Sequence, residues 1–434
     1  MTENRCGWIV QAGESAPRAS LRGVEQADWL IIGGGFTGLS AAHHLARMHP
    51  QARIVLVDRQ RAAQGASARN SGFVVAHENP GGEELLGRTL NAYYQQSTEI
   101  SRAANQEVRQ RIDSLGIDCD WREDGYFFAV HDPAKLEEAR QRVETLQAVG
   151  ARAEFLEGRA LASRLGTDFY QAGILCAGGN ALLQPAKYAK GLFDSLPASV
   201  AVFEHTDITG LERMANGNVR ALARNGSVEA AQVLVCVGAF MPRVGLVDRS
   251  VFALELSASL TRPLTDDEYR QMGSPGPWGV LSTRPAGATL RLTNDRRLLI
   301  RNTVEYRHQD LVGSALQARR HTHVRGLQRR FPWITEQHLQ FTWTGHLSAT
   351  RSGEPRFARV DRGIHAVAGC NGSGVARGTL WGRLLAEMAS GSQSSLLSSV
   401  LEQAAPGWLP PSPFFDIGAS VRLRYEACRA KSES

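Results

Sequence analysis

A short apolar stretch that runs into a glycine turn constrains the fold of this chain more than any other feature. Residues 29–38 read WLIIGGGFTG, and Gly33, Gly35 and Gly38 fit the pattern G-x-G-x-x-G. In this motif the first glycine allows a tight turn, the second lets the backbone touch a pyrophosphate, and the third lets the helix pack closely on the strand. The unpaired amides and the dipole of the helix favour an anion. The stretch therefore predicts a strand, a turn and a helix that bind a dinucleotide.

The residues that follow complete a β–α–β pattern. Leu39, Ala42 and Leu45 give the next segment an apolar face at helical spacing, and residues 53–57 predict a second buried strand. That strand ends at Asp58, about 20 residues after the last glycine, where dinucleotide-binding folds place an acid. Its carboxylate can accept hydrogen bonds from both ribose hydroxyls of an adenosine. The alternative is a β–α–β unit whose glycines serve packing alone.

Composition narrows the class of protein. The chain has 434 residues, which is too many for one small hydrophobic core, so we expect two domains. Because 21% of the residues are charged, we expect a soluble protein. The net charge of +6 is spread along the chain, and we expect no binding to nucleic acid. The six cysteines form no C-x-x-C pair, so we expect reduced thiols and no metal site. No run approaches about 18 apolar residues, which predicts a cytoplasmic protein without a membrane span.

The loop after Asp58, residues 59–72, is rich in glycine, alanine and serine. Small residues would let backbone amides approach a flat ligand, and several side chains here supply hydrogen-bond donors. An ordinary surface loop is the alternative, but the position next to the ribose-binding acid favours contact with a cofactor. The candidates for cofactor binding from the two segments are Gly33, Gly35, Phe36, Thr37, Gly38, Asp58, Arg59, Ser67, Arg69, Asn70 and Ser71.

A second glycine turn lies near the end of the chain. Residues 363–368 predict a strand, residues 369–375 read GCNGSGV, and a helix follows. A second helix N-terminus suits FAD, because it would stabilise the negative charge of a reduced flavin near N1 and O2. A structural turn before an ordinary helix is the alternative interpretation. The further candidates for cofactor binding are Ile208, Gly238, Asn371, Gly372, Ser373, Gly374 and Val375.

We therefore expect an α/β fold in which a Rossmann-like FAD-binding domain is assembled from discontinuous segments. Alternating apolar and polar residues over 251–344 predict an α+β substrate domain with an antiparallel sheet. Residues 83–115 are expected to be helical. The predicted boundaries are 1–26 for an N-terminal arm over the first domain; 27–82, 173–250 and 345–395 for the FAD-binding domain; 83–172 and 251–344 for the substrate domain; and 396–434 for a C-terminal extension.

The motifs resemble those of flavoproteins of the D-amino-acid oxidase superfamily, and most resemble the gamma-glutamylputrescine oxidoreductase group. The similar stretches are ADWLIIGGGFTGLSAAHHLA (27–46), GASARNSG (65–72), IDCDWR (117–122), LTNDRRLL (292–299), WTG (343–345) and AGCNGSGV (368–375). The resemblance implies non-covalent FAD, since the GASARNSG run offers no histidine or cysteine for attachment. It also implies oxidation of a C–N bond, with a gamma-glutamylated polyamine as one candidate substrate. Relatives often read SGHG where this chain has NGSG, so Ser373 leaves the substrate and the oxidant open.

The catalytic candidates are Arg301, His346 and Arg351. Arg301, on the predicted antiparallel sheet, is a candidate for binding a substrate carboxylate, and a surface arginine on the outer face is the alternative. Burial against the flavin would keep the substrate amine neutral, so that it can release a hydride without a dedicated base.

Three functional interpretations remain open. The first is an FAD-dependent oxidoreductase that converts an amine or amino acid to an imine, which hydrolyses to an aldehyde or keto acid, with oxygen or another electron acceptor. The second is a sarcosine-type or D-amino-acid dehydrogenase with an acceptor other than oxygen. The third is a flavin-binding protein without turnover.

Overall fold

The computed structural model describes residues 4–76, 92–148, 150–246, 249–307 and 310–433. Of the helix expected over residues 83–115, the described part is helical, and residues 83–91 lie outside the described residues. The described strands are β1 Gly23–Ile32, β2 Ile54–Val57, β3 Phe73–Val74, β4 Tyr126–Val130, β5 Arg152–Glu157, β6 Ala172–Ala177, β7 Ala181–Leu182, β8 Val200–Phe203, β9 Ile208–Arg213, β10 Val219–Ala223, β11 Gly226–Val235, β12 Val251–Thr261, β13 Trp278–Ser282, β14 Thr289–Leu292, β15 Leu298–Glu305, β16 Leu339–Thr350, β17 Arg356–Asp361 and β18 Ile364–Ala368.

The helices of the described residues are α1 Gly7–Ala12, α2 Phe36–Met48, α3 Ala66–Arg69, α4 Ala92–Leu115, α5 Leu136–Ala148, α6 Gly158–Leu165, α7 Pro185–Asp194, α8 Asp266–Gln271, α9 Gly313–Gln328, α10 Gly374–Ala389, α11 Ser395–Leu401 and α12 Phe414–Arg429. Short 3₁₀ helices span Pro133–Lys135, Gly238–Val244 and Glu336–His338.

The first sheet has the strand order β17-β18-β11-β1-β2-β8, with β9 and β10 extending from β11. Strands β18, β11, β1, β2 and β8 are parallel to their neighbours in this order, and β17 is antiparallel to β18. All four residues of β2 are buried, as expected for a parallel strand covered on both faces. The strands come from the beginning, the middle and the end of the chain, which confirms the predicted discontinuous Rossmann-like fold.

Helices α2 and α10 pack directly on each other against this sheet. A Cβ atom at Gly382 would lie 2.2 Å from the backbone oxygen of Thr37, so this position has no room for a side chain. Ser40 Oγ donates to the backbone oxygen of Thr379 over 2.7 Å. Because residues 37 and 40 of α2 meet residues 378 to 382 of α10 in the same order, the two helices run parallel. Their N-termini therefore open at the same end.

The second sheet has the strand order β16-β12-β15-β14-β13-β4-β6-β5 and is antiparallel except between β13 and β4. On one face α9 packs through Leu327 against Leu290 and Ile300. On the other face Leu299 and Trp343 belong to an apolar cluster with residues of α1 and α3. This is the predicted antiparallel sheet, and its second face lies toward the glycine-turn segments.

Several predicted boundaries are wrong at the level of single strands. Strand β6 pairs with β4 and β5 in the second sheet, although residues 173–250 were assigned to the FAD-binding domain. Its residues are apolar on both faces, with Ile174 in one apolar cluster and Leu175 against another, which is why the segment resembled a parallel strand. Strand β16 continues the second sheet to Thr350, past the predicted boundary at 344, because it pairs with β12 along its whole length.

The N-terminal residues also differ from the predicted arm. Strand β1 begins at Gly23, so the first sheet starts within residues 1–26. Helix α1 lies between the two sheets, because Trp8 Nε1 donates to the backbone oxygen of Asn70 and the Trp8 ring packs edge-on against Trp343 of β16. Residues 6–8 of the arm are thus buried between the two sheets, whereas residues 13–20 are mostly exposed and lie over the first domain, as predicted, where the Arg18 amide donates to Glu204.

Candidate functional site

The first glycine turn sits at the carboxyl end of β1. Gly33 has φ 105°, in the left-handed region that favours glycine, and its amide donates to the oxygen of Val57 in β2 over 2.8 Å. A Cβ atom at Gly38 would lie 1.8 Å from the oxygen of Gly33. The turn therefore requires both glycines.

Asp58 lies beside this turn, at the carboxyl end of β2. Its Oδ2 accepts from the amide of Gly34 and its Oδ1 from the amide of Gln60, both over 2.8 Å. Burial raises the pKa of the Asp58 carboxyl, and these two amides oppose that rise by stabilising the carboxylate. The amide of Thr206, two residues before Ile208 at the start of β9, donates to the backbone oxygen of Asp58. The predicted ribose-binding acid is thus fixed against the first glycine turn.

The first turn of α2 presents free backbone donors. The amide of Leu39 donates to the oxygen of Gly35, which is the first regular bond of the helix, and the amide of Phe36 donates to Ser67 Oγ over 2.9 Å. Within the described ranges, the amides of Thr37 and Gly38 have no acceptor. Two unpaired amides at a helix N-terminus form a site that fits an anionic pyrophosphate.

The loop after Asp58 is fixed on both sides and is not an ordinary surface loop. Its short helix α3 is held by Trp343 Nε1, which donates to the oxygen of Arg69, and by Trp8 Nε1, which donates to the oxygen of Asn70, each over 3.0 Å. The Asn70 side chain donates to the oxygen of Ser67 and accepts from the amide of Gly72. Side chains that we predicted to contact the cofactor thus shape this loop, and Arg59 is exposed.

The second glycine turn precedes α10. Asn371 has φ 48° and Gly372 has φ 98°, and both lie in the left-handed region. The Asn371 side chain accepts from the amide of Thr350 and donates to the oxygens of Gly353 and Gly369, each over 2.8 Å. These bonds fix the shape of the turn and occupy the Asn371 side chain.

Helix α10 also presents free backbone donors. The amide of Arg377 donates to the oxygen of Ser373 over 3.0 Å, and in the described part of the chain the amides of Gly374 and Val375 have no acceptor. A Cβ atom at Gly378, one turn into α10, would lie 3.2 Å from Thr37 Oγ1. The two glycine turns therefore open side by side, as one extended dinucleotide would require.

Strand β16 of the second sheet lies over the loop after Asp58 and over the second glycine turn. A Cβ atom at Gly345 would lie 3.3 Å from Arg69 Cβ, and one at Gly372 would lie 4.0 Å from Leu347 Cδ1. Gly238, at the end of β11 with φ 57°, lies next to Ser348 of the same strand. The structure thus brings the two turns, the loop after Asp58 and the end of β11 together under one face of the second sheet.

Arg301 lies on that face. It pairs in register with Thr289 of β14 and donates to the Thr289 hydroxyl. Two residues away on each strand are Leu299 and Arg291, and Arg291 Nη1 donates to the backbone oxygens of Ser71 and Leu183 on the side of the first sheet. Alternation along β15 directs Arg301 to the same side.

The Arg301 guanidinium has no acidic partner among the described residues. Burial lowers its pKa to about 10, a value that still leaves it charged at neutral pH. The side chain is half-buried, so its charge has lost part of its hydration without gaining a counter-ion, and an anionic ligand would compensate for that loss. Arg301 therefore fits the predicted role of binding a substrate carboxylate.

The structure does not bring His346 and Arg351 to Arg301. His346 pairs in register with Glu255, which pairs with Glu305, four residues along β15 from Arg301, and the His346 ring lies edge-on to Phe240 with the centroids 5.2 Å apart. His346 Nε2 lies 3.3 Å from Asp310 Oδ1. Arg351 is exposed just after β16.

Glu255, Asp310 and His346 each place one ligand atom within 4.8 Å of the others, so this is where the described residues could hold a metal ion. Three atoms are one fewer than a closed structural zinc site uses. Burial raises the pKa of Glu255, which favours the protonated carboxyl, a poor ligand. We interpret the group as a contact between His346 and Asp310 over the buried Glu255 carboxyl.

The sequence analysis missed Arg291, which is 5% exposed and lies over the Trp8 ring, 5.5 Å from its centroid. Its two bonds to backbone oxygens join the second sheet to the loop after Asp58. The alternation of residues 289–292 could have indicated its position, because it puts Arg291 on one face of a predicted strand, where an arginine can bind groups across the sheet.

A family model described as FAD dependent oxidoreductase, DAO, matches residues 28–388. The protein belongs to the DAO family. It is therefore an FAD-dependent oxidoreductase, which confirms the predicted cofactor and the prediction of a redox enzyme.

The chain is similar to one characterised DAO-type enzyme in sequence and to two oxidases in structure. The chain is 29% identical to gamma-glutamylputrescine oxidoreductase of Escherichia coli K12 over 407 residues, or 90% of each chain. Glycine oxidase from Geobacillus kaustophilus superposes with a TM-score of 0.69 at 17% identity, covering 86% of this chain and 96% of that one. L-alpha-glycerophosphate oxidase from Mycoplasma pneumoniae, solved with FAD bound, gives a TM-score of 0.67 at 13% identity over 89% of this chain and 100% of that one. These two structures confirm the fold.

No helix among the described residues is both long enough and apolar enough to cross a bilayer.

Proposed function

We propose that this protein oxidises the C–N bond of an amino acid, or of another amine that carries a carboxylate, and yields an imine that hydrolyses to a keto acid or aldehyde. The observation that carries the proposal is the half-buried guanidinium of Arg301, on the face of the second sheet that lies toward the first domain, without an acidic partner among the described residues. A gamma-glutamylated polyamine is one candidate substrate, because its glutamyl group carries a carboxylate and its other end carries an amine. The similarity to gamma-glutamylputrescine oxidoreductase supports that candidate.

The unpaired backbone amides at the starts of α2 and α10, together with Asp58, indicate which residues would hold FAD. The amides of Thr37 and Gly38 would bind the pyrophosphate, the Asp58 carboxylate would accept from the ribose hydroxyls, and the amides at the start of α10 would face the pyrimidine edge of the flavin. When bound, FAD supplies a hydride acceptor at its N5 atom.

Arg301 would bind the substrate carboxylate and thereby orient the substrate with its amine toward the flavin. Its guanidinium presents donors in a fork that matches a carboxylate, so it fixes one end of the substrate. The second sheet covers the loop after Asp58 through Gly345 and the second glycine turn through Leu347, and this cover would exclude water from the amine. An amine in such a place has a lowered pKa and is neutral, as hydride release requires.

We further propose that the FAD is held without a covalent bond and that the protein works in a reducing compartment such as the cytoplasm. Cys370 lies next to the second turn, but burial raises the pKa of its thiol, which therefore stays protonated and a weak nucleophile. All six cysteines are free, as expected where thiols stay reduced.

An anaerobic reduction screen tests the proposed reaction. The FAD-loaded protein is mixed without oxygen with amino acids, N-alkylated amino acids, gamma-glutamylated diamines and, for each, the matching amine without its carboxylate. We expect bleaching of the yellow flavin band with a carboxylate-bearing compound and much slower bleaching with its matched amine. Bleaching by the amines alone would contradict the role of Arg301, and no bleaching by any compound would favour a flavin-binding protein without turnover. Reoxidation with oxygen or with an artificial acceptor then separates an oxidase from a dehydrogenase.

A further inference from the structure

An apolar stripe runs along the outer face of α12. Phe414, Ile417, Val421 and Tyr425 are exposed to 71%, 61%, 61% and 53%, and their spacing of three, four and four residues places them on one side of the helix. Trp408, just before the helix, is 59% exposed. Single exposed apolar residues are ordinary, but a contiguous set marks an interaction surface. We call these four residues of α12 the C-terminal stripe.

Basic residues border the stripe on both sides. At about 100° per residue, Arg422 and Arg429 lie roughly 60–80° to one side of Phe414, and Arg424 lies about 80° to the other. All three arginines are exposed.

The two acidic residues of α12 lie outside the exposed side that the C-terminal stripe and the three arginines form. Glu426 is 6% exposed and pairs with Arg422, and Asp416 accepts from the Tyr306 hydroxyl of the second sheet. The exposed face of the described helix is therefore an apolar centre with cationic edges and no carboxylate.

The helix is held firmly with this face outward. Phe415, on the inner side, packs against Phe252 and Tyr306 with ring centroids 5.0 and 5.3 Å away. Beyond the helix, Arg330 Nη2 donates to the oxygen of Glu433 over 2.8 Å. The stripe is thus a fixed outer surface of the second sheet and not a loose tail.

We propose that the C-terminal stripe docks the protein on the surface of a membrane that contains anionic lipids. An apolar face bordered by arginines suits a helix that lies in the plane of the interface, with its apolar side chains among the acyl chains and its guanidinium groups at the lipid phosphates. A second copy of the chain suits the face less well. The exposed side of the helix carries arginines and no carboxylate, so the stripe of a second copy would offer these arginines no counter-ion. The docking is peripheral, and the proposal does not depend on the substrate.

Vesicle co-sedimentation of the full-length, FAD-loaded protein tests this docking. We expect binding to vesicles of phosphatidylcholine with phosphatidylglycerol, little binding to phosphatidylcholine alone, and loss of binding as salt rises. The double variant I417D/V421D and the triple variant R422Q/R424Q/R429Q should each bind at least about tenfold more weakly. The matched control is Val312→Asp, which removes an isolated valine that is 63% exposed and should leave binding unchanged. Retained flavin and an unchanged melting temperature show that each variant is folded.

Failure of the wild type to bind anionic vesicles would overturn the proposal. So would equal binding by folded I417D/V421D. Light scattering provides a further outcome: a wild-type dimer that I417D/V421D dissociates, without vesicle binding by either protein, would assign the stripe to a second copy and also overturn the proposal.

Discussion

Gly382 of α10 lies so close to Thr37 of α2 that a Cβ atom on it would be 2.2 Å from the Thr37 oxygen. This contact lets the two helices approach until their first turns lie side by side. The distance between the two sets of free amides is therefore set by a glycine that lies about two helical turns away from them.

Replacing Gly382 by alanine is expected to force α2 and α10 apart. Overpacking of this kind costs about 1–3 kcal/mol of stability, and here it would also displace the two helix N-termini relative to each other. We expect a lower melting temperature and faster loss of FAD on dilution. Gly407→Ala is the control, because a Cβ atom there meets nothing within 4 Å. Normal flavin retention by G382A would contradict the argument.

Asp58→Asn is expected to weaken FAD binding by about tenfold or more, or about 1.4 kcal/mol. The amide keeps one acceptor but replaces the other with a donor, which would face either the Gly34 amide or the Gln60 amide and disturb the orientation of the ribose-binding group. Fluorescence titration of the apoprotein with FAD measures the change. Asp28→Asn is the control, because Asp28 Oδ2 also accepts a backbone amide, that of Arg53 over 2.8 Å, at the opposite end of the strands. Equal losses of FAD affinity in the two variants would show that Asp58 acts only by supporting the fold and does not bind the ribose.

Arg301→Gln is expected to raise KM for carboxylate-bearing substrates by roughly 10- to 100-fold, because a charge-assisted hydrogen bond contributes about 1.5–3 kcal/mol. The matched amines without a carboxylate should be little affected. Steady-state kinetics on both members of each pair measure the effect. Arg296→Gln, which removes an exposed pair with Asp266, is the control. If R301Q slows both members equally, Arg301 does not bind the carboxylate.

The pH dependence of stability is expected to depend on His323. Its side chain is fully buried, bonds Ser257 and Ser259, and has its pKa lowered to about 3, chiefly by burial. Because the unfolded-state pKa is near 6.5, the unfolded chain binds the proton first as pH falls. Stability is thus full above about pH 6.5 and is lost progressively toward pH 3.

His323 alone is expected to remove about 2 kcal/mol between pH 7.5 and pH 5. Urea unfolding of His323→Gln should show a shallower pH dependence by that amount, whatever its stability at pH 7.5. His321→Gln, whose side chain is 51% exposed, is the control on the same helix. His44 and His365, with pKa values lowered to about 3 and about 4, should preserve part of the slope in every variant. An unchanged slope in H323Q would contradict the assignment.

The glycine turns and Asp58 were predictable because local sequence determines them. A left-handed φ at Gly33, the close approach at Gly38 and an acid at the end of β2 are properties of one short stretch. The second turn was predictable for the same reason. Even there, the sequence did not reveal that the Asn371 side chain is occupied within the turn.

The faces of the second sheet were not predictable, because they depend on pairing between distant strands. The direction of Arg301 follows from its register with Thr289, and the position of His346 from its register with Glu255. A shift of one residue would have turned Arg301 to the opposite face. The assignment of β6 failed because a strand that is apolar on both faces looks alike in either sheet.

The order of strands in the first sheet has a consequence for synthesis. Strand β1 pairs with β11, about two hundred residues later, and β11 pairs with β18 near the far end of the chain. A growing chain on the ribosome therefore exposes the apolar edge of β1 for many seconds before its partner emerges, and such delay favours aggregation. Heterologous expression at low temperature, with chaperones and riboflavin supplied, should raise the yield of yellow protein.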